Sequence, residues 1–314
     1  MLHILALTAP IYLLIGLGFL IVRRGLFAPA DLRLMGRFVV QVALPALLFK
    51  ALATRPLGEV LNPGYLGAMA LGSGVVFLAL FALARGLRGK PVAEAAFHGG
   101  GASFPNSVYI GFPVALGLVG PVAGVALALN LVVENLLLLP LLLALAESGA
   151  GRGGASAMRQ ALAGLLRNPM IIAIVAGFAF AATGLALPAP LLRAVDWLAQ
   201  TVAAIGLVVI GGSLVGLSMQ GLWRDVALVA GAKLLLHPLA VWAALWLMPP
   251  VDPALRTAAV AIAAAPMFGV FPILAQKYGL QGPAAAMMLG ATLASFVTMP
   301  LVLGLVTSGT LPWP

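Results

Sequence analysis

The 314-residue chain contains no cysteine. Disulfide frameworks, thiolate zinc sites, CxxC redox chemistry and cysteine nucleophiles are therefore excluded. Charge is nearly as scarce: 8% of residues are charged against 63% hydrophobic, and mean hydropathy is +1.14. A soluble domain carries roughly a quarter charged residues, so this is not an ordinary soluble enzyme. Catalytic sets are missing too. There is no HExxH, no GxSxG and no phosphate-binding loop, and the four aspartates (Asp31, Asp196, Asp225, Asp252) fall in gaps between apolar runs or at their ends. Glycine (37) and proline (23) are abundant, but the wealth of Leu, Val and Ala rules out disorder.

What is present is long apolar runs. A bilayer crossing takes about 20 mostly apolar residues. Ten runs qualify, near 3–23, 33–54, 64–85, 92–119, 122–146, 166–185, 191–217, 225–248, 254–278 and 283–307. The net charge of +9 would suggest nucleic acid in a soluble protein. Here the basic residues sit in short gaps and read as topology. The odd-numbered gaps and their flanks hold Arg23, Arg24, Arg33, Arg37, Arg85, Arg88, Lys90, Arg152, Arg159, Arg167, Arg224 and Lys277. The even ones hold Lys50, Arg55, Arg193 and Arg256. The positive-inside rule puts the odd gaps in the cytoplasm and both termini outside. The first run is followed, not preceded, by its arginines, which is the reverse of a secretory signal. Trp197, Trp223, Trp246 and Trp313 lie near run ends, where interfacial tryptophans collect.

The chain repeats itself. Pro10-Ile11 matches Pro169-Met170, Gly18-Phe19 matches Gly177-Phe178, Phe112-Pro113 matches Phe271-Pro272 and Gly120 matches Gly279, all at an offset of 159 residues. Pro140-Leu141 matches Pro300-Leu301 after one insertion. Five spans per half is an odd number, so the second half enters the membrane inverted, as in secondary transporters. The expected organisation is a first repeat over 1–146, a Gly/Ala/Ser-rich cytoplasmic linker over 147–165 and a second repeat over 166–314.

The fourth and ninth runs are disrupted at equivalent places. One reads Gly99-Gly100-Gly101-Ala102-Ser103-Phe104-Pro105-Asn106-Ser107 and then Gly111-Phe112-Pro113; the other reads Ala265-Pro266-Met267-Phe268-Gly269-Val270-Phe271-Pro272. Proline inside a helix removes a donor and clashes with the preceding turn, and the freed backbone groups must face protein or water rather than lipid. Both breaks lie roughly 18–21 Å along their helices, near the membrane midplane. Each exposes a half-helix N-terminus that can hold an anion. The candidate binding residues are Ser103, Pro105, Asn106 and Ser107 with Pro266, Met267, Phe268 and Gly269, and the candidate hinge positions are Gly101, Gly111, Pro113 and Pro272.

Glu134 stands mid-membrane in the fifth run, with Asn130 one turn away on the same face. An intramembrane acid is a functional candidate by default, here a proton carrier or a brace between helices. Lys233 in the eighth run either snorkels, pairs with an acid or attracts an anion. His98 and His237 are weaker candidates for proton relay, and Gln41 and Gln276 weaker still.

These residues resemble the auxin efflux carrier family, which holds plant PIN-type carriers and bacterial malonate carriers. The resemblance spans nearly the whole chain. It rests on Pro10 to Gly18, Ala43 to Phe49, Ser103-Phe104-Pro105-Asn106 with Gly111-Phe112-Pro113, Asn130 to Asn135 with Pro140, Asn168-Pro169 and Ala265-Pro266. It implies an all-α polytopic membrane protein of ten transmembrane helices, built as 5+5 inverted repeats with crossed broken helices 4 and 9. That fold is similar to bile acid symporters and sodium/proton antiporters. It further implies a homodimer, and a scaffold of helices 1, 2, 6 and 7 against which helices 3–5 and 8–10 move as an elevator. The implied substrate is a small organic anion, a mono- or dicarboxylate, near Asn106, and no resident cofactor or nucleic-acid partner is implied. Sodium-coupled relatives carry an acid in the ninth helix, whereas Ala263 to Val270 has none. That disfavours sodium and leaves proton coupling through Glu134, Asn130 and Lys233, or potential-driven uniport. A cation/proton antiporter on the same fold is the alternative. The short linker and the Ala/Leu/Arg-rich composition favour a bacterial inner membrane.

Overall fold

The computed structural model describes residues 2–56, 58, 61–149 and 154–308. Trp313 and Arg152 lie outside the described residues. Within them all regular structure is helical, and the sole strand-like pairing is an isolated antiparallel bridge between Pro105 and Met267. The helices are α1 (Leu2–Arg23), α2 (Pro29–Ala53), α3 (Pro63–Leu87), α4 (Val92–Ser103), α5 (Ser107–Val119), α6 (Val122–Gly149) and α7 (Gly154–Gly164). They continue as α8 (Pro169–Ala182), α9 (Ala189–Ser213), α10 (Trp223–Leu245), α11 (Pro253–Ala264), α12 (Phe271–Gln276) and α13 (Gln281–Thr307). Six of these, α2, α3, α6, α9, α10 and α13, are long and apolar enough to cross a membrane. Of the others, α1 and α8 coincide with the first and sixth runs, α4–α5 and α11–α12 with the interrupted fourth and ninth, and α7 lies in the linker. The 147–165 linker contains a helix of its own, α7, which packs against the end of α6 and meets α8 at a 60° bend.

Three helices start in the same way. Asn62-Pro63, Asn168-Pro169 and Asp252-Pro253 each place a capping side chain before a proline in the first turn. The caps accept from Tyr65 N at 2.8 Å, Met170 N at 3.0 Å and Ala254 N at 2.8 Å. Proline costs nothing there because its missing N–H has no intrahelical partner anyway, while the cap serves one orphan amide.

Proline acts differently inside the helices. Four π turns, Val39–Ala43, Ser107–Gly111, Glu134–Leu138 and Ala232–Leu236, each stop two residues before a proline: Pro45, Pro113, Pro140 and Pro238. In each, the residue before the proline donates to the carbonyl five residues back, as Leu139 N does to Glu134 O. Widening the turn relieves the proline clash without ending the helix. The helix therefore runs on through Pro113, and Pro272 sits in the first turn of α12. The fourth run is interrupted earlier, at Phe104–Asn106.

Two close approaches join the halves. A Cβ on Gly18 in α1 would collide with the Val208 backbone in α9. A Cβ on Gly177 in α8 would lie 3.2 Å from Phe49 O in α2. Around this frame the usual distribution of polarity is inverted. Large apolar side chains such as Leu13, Leu34, Leu78, Leu247 and Ile273 face outward, while Asn106, Asn130, Glu134, Lys233 and His237 are buried. An apolar exterior on this scale marks a partner surface, and around long apolar helices that partner is lipid.

Candidate transport site

The two interruptions lie against each other. α4 ends at Phe104, whose backbone is extended, and α11 ends at Ala265, likewise extended. Between them Asn106 N donates to Pro266 O at 2.6 Å, beside the Pro105–Met267 bridge. The Phe104 and Phe268 rings stack at 4.9 Å. Gly101 is required by proximity, since a Cβ there would stand 2.8 Å from Met267 Cε and 2.9 Å from Val229 Cγ1. Gly111 is similarly tight, 3.2 Å from Ile262 Cα.

Asn106 also opens α5. Its side-chain oxygen accepts from Tyr109 N at 3.3 Å, and its carbonyl accepts from Ile110 N at 3.2 Å and Gly111 N at 2.8 Å. Among the described residues no acceptor serves the amides of Ser107 and Val108. A half-helix start with two free amides is an anion-holding geometry. Ser103 is turned away from that task, because its hydroxyl donates back to Gly99 O at 3.0 Å. Ser107 instead neighbours Glu134.

Glu134 is buried in the π turn of α6, where Asn130 Nδ2 donates to its Oε1 at 2.7 Å. Tyr65 lies within electrostatic reach, and its buried hydroxyl has no hydrogen-bond partner among the described residues. Lys233 does not snorkel. It is fully buried, and its ammonium donates to Ala263 O at 2.6 Å and contacts His237 Nδ1 at 2.9 Å. His237 Nε2 in turn meets Ser73 Oγ at 2.8 Å. Ala263 sits in the last turn of α11, where the carbonyls are orphaned and the helix dipole is negative. Lys233 thus caps the broken helix with a hydrogen bond, and Glu134 lies within its electrostatic reach. Asn106, Ser107, Asn130, Glu134 and Lys233 are thus buried near the two breaks, whereas Phe268 and Gly269 are half-buried.

Other candidates lie elsewhere. His98 belongs to a charged cluster at the start of α4 and α10. Arg88 is ion-paired with Asp225, and Lys90 bonds Glu94 at 2.7 Å and Asp225 at 3.1 Å. The hydrogen bond that Lys90 donates to Glu94, with the one it donates to Asp225, holds it above the usual lysine range against partial burial. Glu94, His98 and Asp225 have metal-ligand spacing, with ligand atoms within 4.8 Å of one another. The adjacent Arg88 and Lys90 already neutralise both carboxylates, so the donor set does not fit a cation. Asp196, expected at a run end, lies two turns inside α9 and is paired with Lys50 of α2. From sequence alone Lys50 reads only as topology. Its partner stands 146 residues away, and no local pattern reveals such a pair.

These features define a multi-pass helical membrane protein with a buried polar centre at two broken helices. Comparison with known proteins gives the particular family. The family described as "Membrane transport protein" matches residues 3–303, and the chain belongs to it: this is the auxin efflux carrier family, and the protein is a membrane transporter. A protein of Rhizobium meliloti (strain 1021) named "Putative malonate transporter" is 32% identical over 316 residues, covering 99% of this chain and 98% of that protein.

Proposed function

We propose that this protein is a secondary transporter of a small organic anion, a mono- or dicarboxylate of the malonate type, bound where the two broken helices meet. The observation that carries the reading is the start of α5. Among the described residues the Ser107 and Val108 amides have no acceptor, Asn106 stands beside them, and no carboxylate lies within the interrupted stretches 99–113 and 263–272. Such a site favours an anion over a cation. The similarity to a protein named for malonate points the same way.

In this reading the ten runs form two inverted five-helix repeats, and helices 4 and 9 cross at the Pro105–Met267 contact. Packing symmetry supports it. Gly18 approaches Val208, Gly177 approaches Phe49, and both members of the two pairs differ by the repeat offset of 159 residues. Helices 3–5 and 8–10 carry the substrate past a scaffold of helices 1, 2, 6 and 7, with Glu134 as the proton-coupling group. The protein works as a homodimer in a bacterial inner membrane with both termini periplasmic.

The test is solid-supported-membrane current from proteoliposomes offered malonate, other small carboxylates and indole-3-acetate, with and without pH and sodium gradients. Saturable current with a carboxylate is expected. Silence with every carboxylate, together with current driven by a sodium or pH gradient alone, would replace this reading with the cation/proton antiporter.

A further inference from the structure

A cavity of about 560 Å³ lies between α2 and α9 on one side and α5 and α6 on the other. Its walls are apolar where Leu47, Phe112 and Leu116 line it, and its charged lining is Lys50, Arg55 and Asp196. The Lys50–Asp196 ion pair faces into it, with the two side chains 34% and 36% exposed. Gln200 Nε2 donates to Asp196 Oδ2 at 3.0 Å, while Lys50 holds Oδ1. Asp196 therefore keeps a donor if Lys50 leaves.

We propose that this cavity is a second carboxylate subsite, in which Lys50 changes partner from Asp196 to the carboxylate of an incoming or leaving substrate. The inference rests on the anion-carrier reading above and adds a place on the route. Helix α5 joins the two places. It begins at Asn106, and Phe112 and Leu116 line the cavity along the same helix. Six residues separate Asn106 from Phe112, a rise of about 9 Å, too far for a three-carbon dicarboxylate to touch both at once. The subsite is thus a staging position, occupied before or after the central one. A partly exposed ion pair contributes little stability, so opening it for a competing carboxylate is easy. The volume suits a small organic acid with some water.

The test is malonate uptake by proteoliposomes holding the full chain. Lys50→Met is expected to raise KM about tenfold with the maximal rate within about twofold. Lys50→Arg, which keeps the charge, should stay within about threefold of wild type. Asp196→Asn should lower KM, because it removes the internal competitor for Lys50. An unchanged KM in Lys50→Met would overturn the subsite while leaving the carrier reading intact. So would equal rises in KM for Lys50→Met and Asp196→Asn, which would make the pair a structural clasp. Wild-type vesicles without saturable uptake of malonate or of any other small carboxylate would remove the carrier reading and the subsite together.

Discussion

At the scale of single residues, Asn106 has two tasks that one experiment can separate. Its side chain caps Tyr109 N, and its position beside the Ser107 and Val108 amides puts it at the proposed anion site. Asn106→Ala should cost about 1 kcal/mol of stability through the lost cap and should also raise the substrate KM at least tenfold. A variant that melts lower yet transports with wild-type KM would confine Asn106 to capping. Glu134→Gln keeps a hydrogen-bonding group for Asn130 Nδ2 but cannot release a proton. It should bind substrate and lose the pH dependence of transport; an unaltered pH profile would eliminate Glu134 as the carrier. Lys233 is a different case. Lys233→Met removes the nearer donor to Ala263 O and leaves His237 Nδ1 at 3.2 Å, so melting should drop by the equivalent of about 1 kcal/mol. If it melts as wild type but its flux no longer follows the pH gradient, Lys233 is a coupling residue rather than a cap. The Asn130–Glu134 pair was legible in the sequence because i,i+4 spacing fixes it. The role of Lys233 was not, because its acceptor is a backbone carbonyl 30 residues away, and a main-chain oxygen leaves no mark in a side-chain pattern.

At the scale of elements, proline has four outcomes here; at Pro10 and Pro300 it sits inside a continuous helix with no π turn before it, and the other three differ only by setting. At Pro63, Pro169 and Pro253 it opens helices. At Pro105 and Pro266 it stands in a true interruption bridged to its opposite number. At Pro45, Pro113, Pro140 and Pro238 it widens the preceding turn and the helix continues. The breaks were legible from Phe104-Pro105-Asn106 and Ala265-Pro266. The π turns were not, because an i→i−5 bond uses the same residues as an i→i−4 bond. Three of the four hold Ser107 and Gly111, Glu134, or Lys233, so the widened turns aim the candidate side chains. Pro140→Ala tests this. Restoring a regular α turn would rotate Glu134 relative to the rest of α6 by about 100°. Transport should fall several-fold while the melting temperature holds or rises, since a helix-breaking residue has been removed. Wild-type transport in a well-folded Pro140→Ala protein would mean that the π turn does not aim Glu134.

At the scale of the molecule, the proposed elevator makes a demand on one contact. Tyr109 belongs to the moving set through α5, and Gly206 belongs to the scaffold through α9. The Tyr109 ring lies so close over Gly206 that no Cβ fits there. If α4–α6 slide against α9, that contact must break in each cycle. If the protein instead gates by small side-chain motions around a fixed frame, the contact can persist. The natural absence of cysteine gives a clean background for the decision. A Tyr109→Cys, Gly206→Cys double variant, bridged by mercury in proteoliposomes, should lose malonate flux and recover it when a thiol reductant strips the metal. Each single variant treated with mercury controls for modification alone, and substrate-induced thermal stabilisation of the bridged protein shows that the binding site survives. The tight packing predicts that the unbridged double variant transports more slowly than wild type, so the comparison that matters is before and after bridging of the same preparation. Undiminished flux through a quantitatively bridged protein would exclude sliding at this interface and with it the division into a scaffold of helices 1, 2, 6 and 7 and a moving remainder.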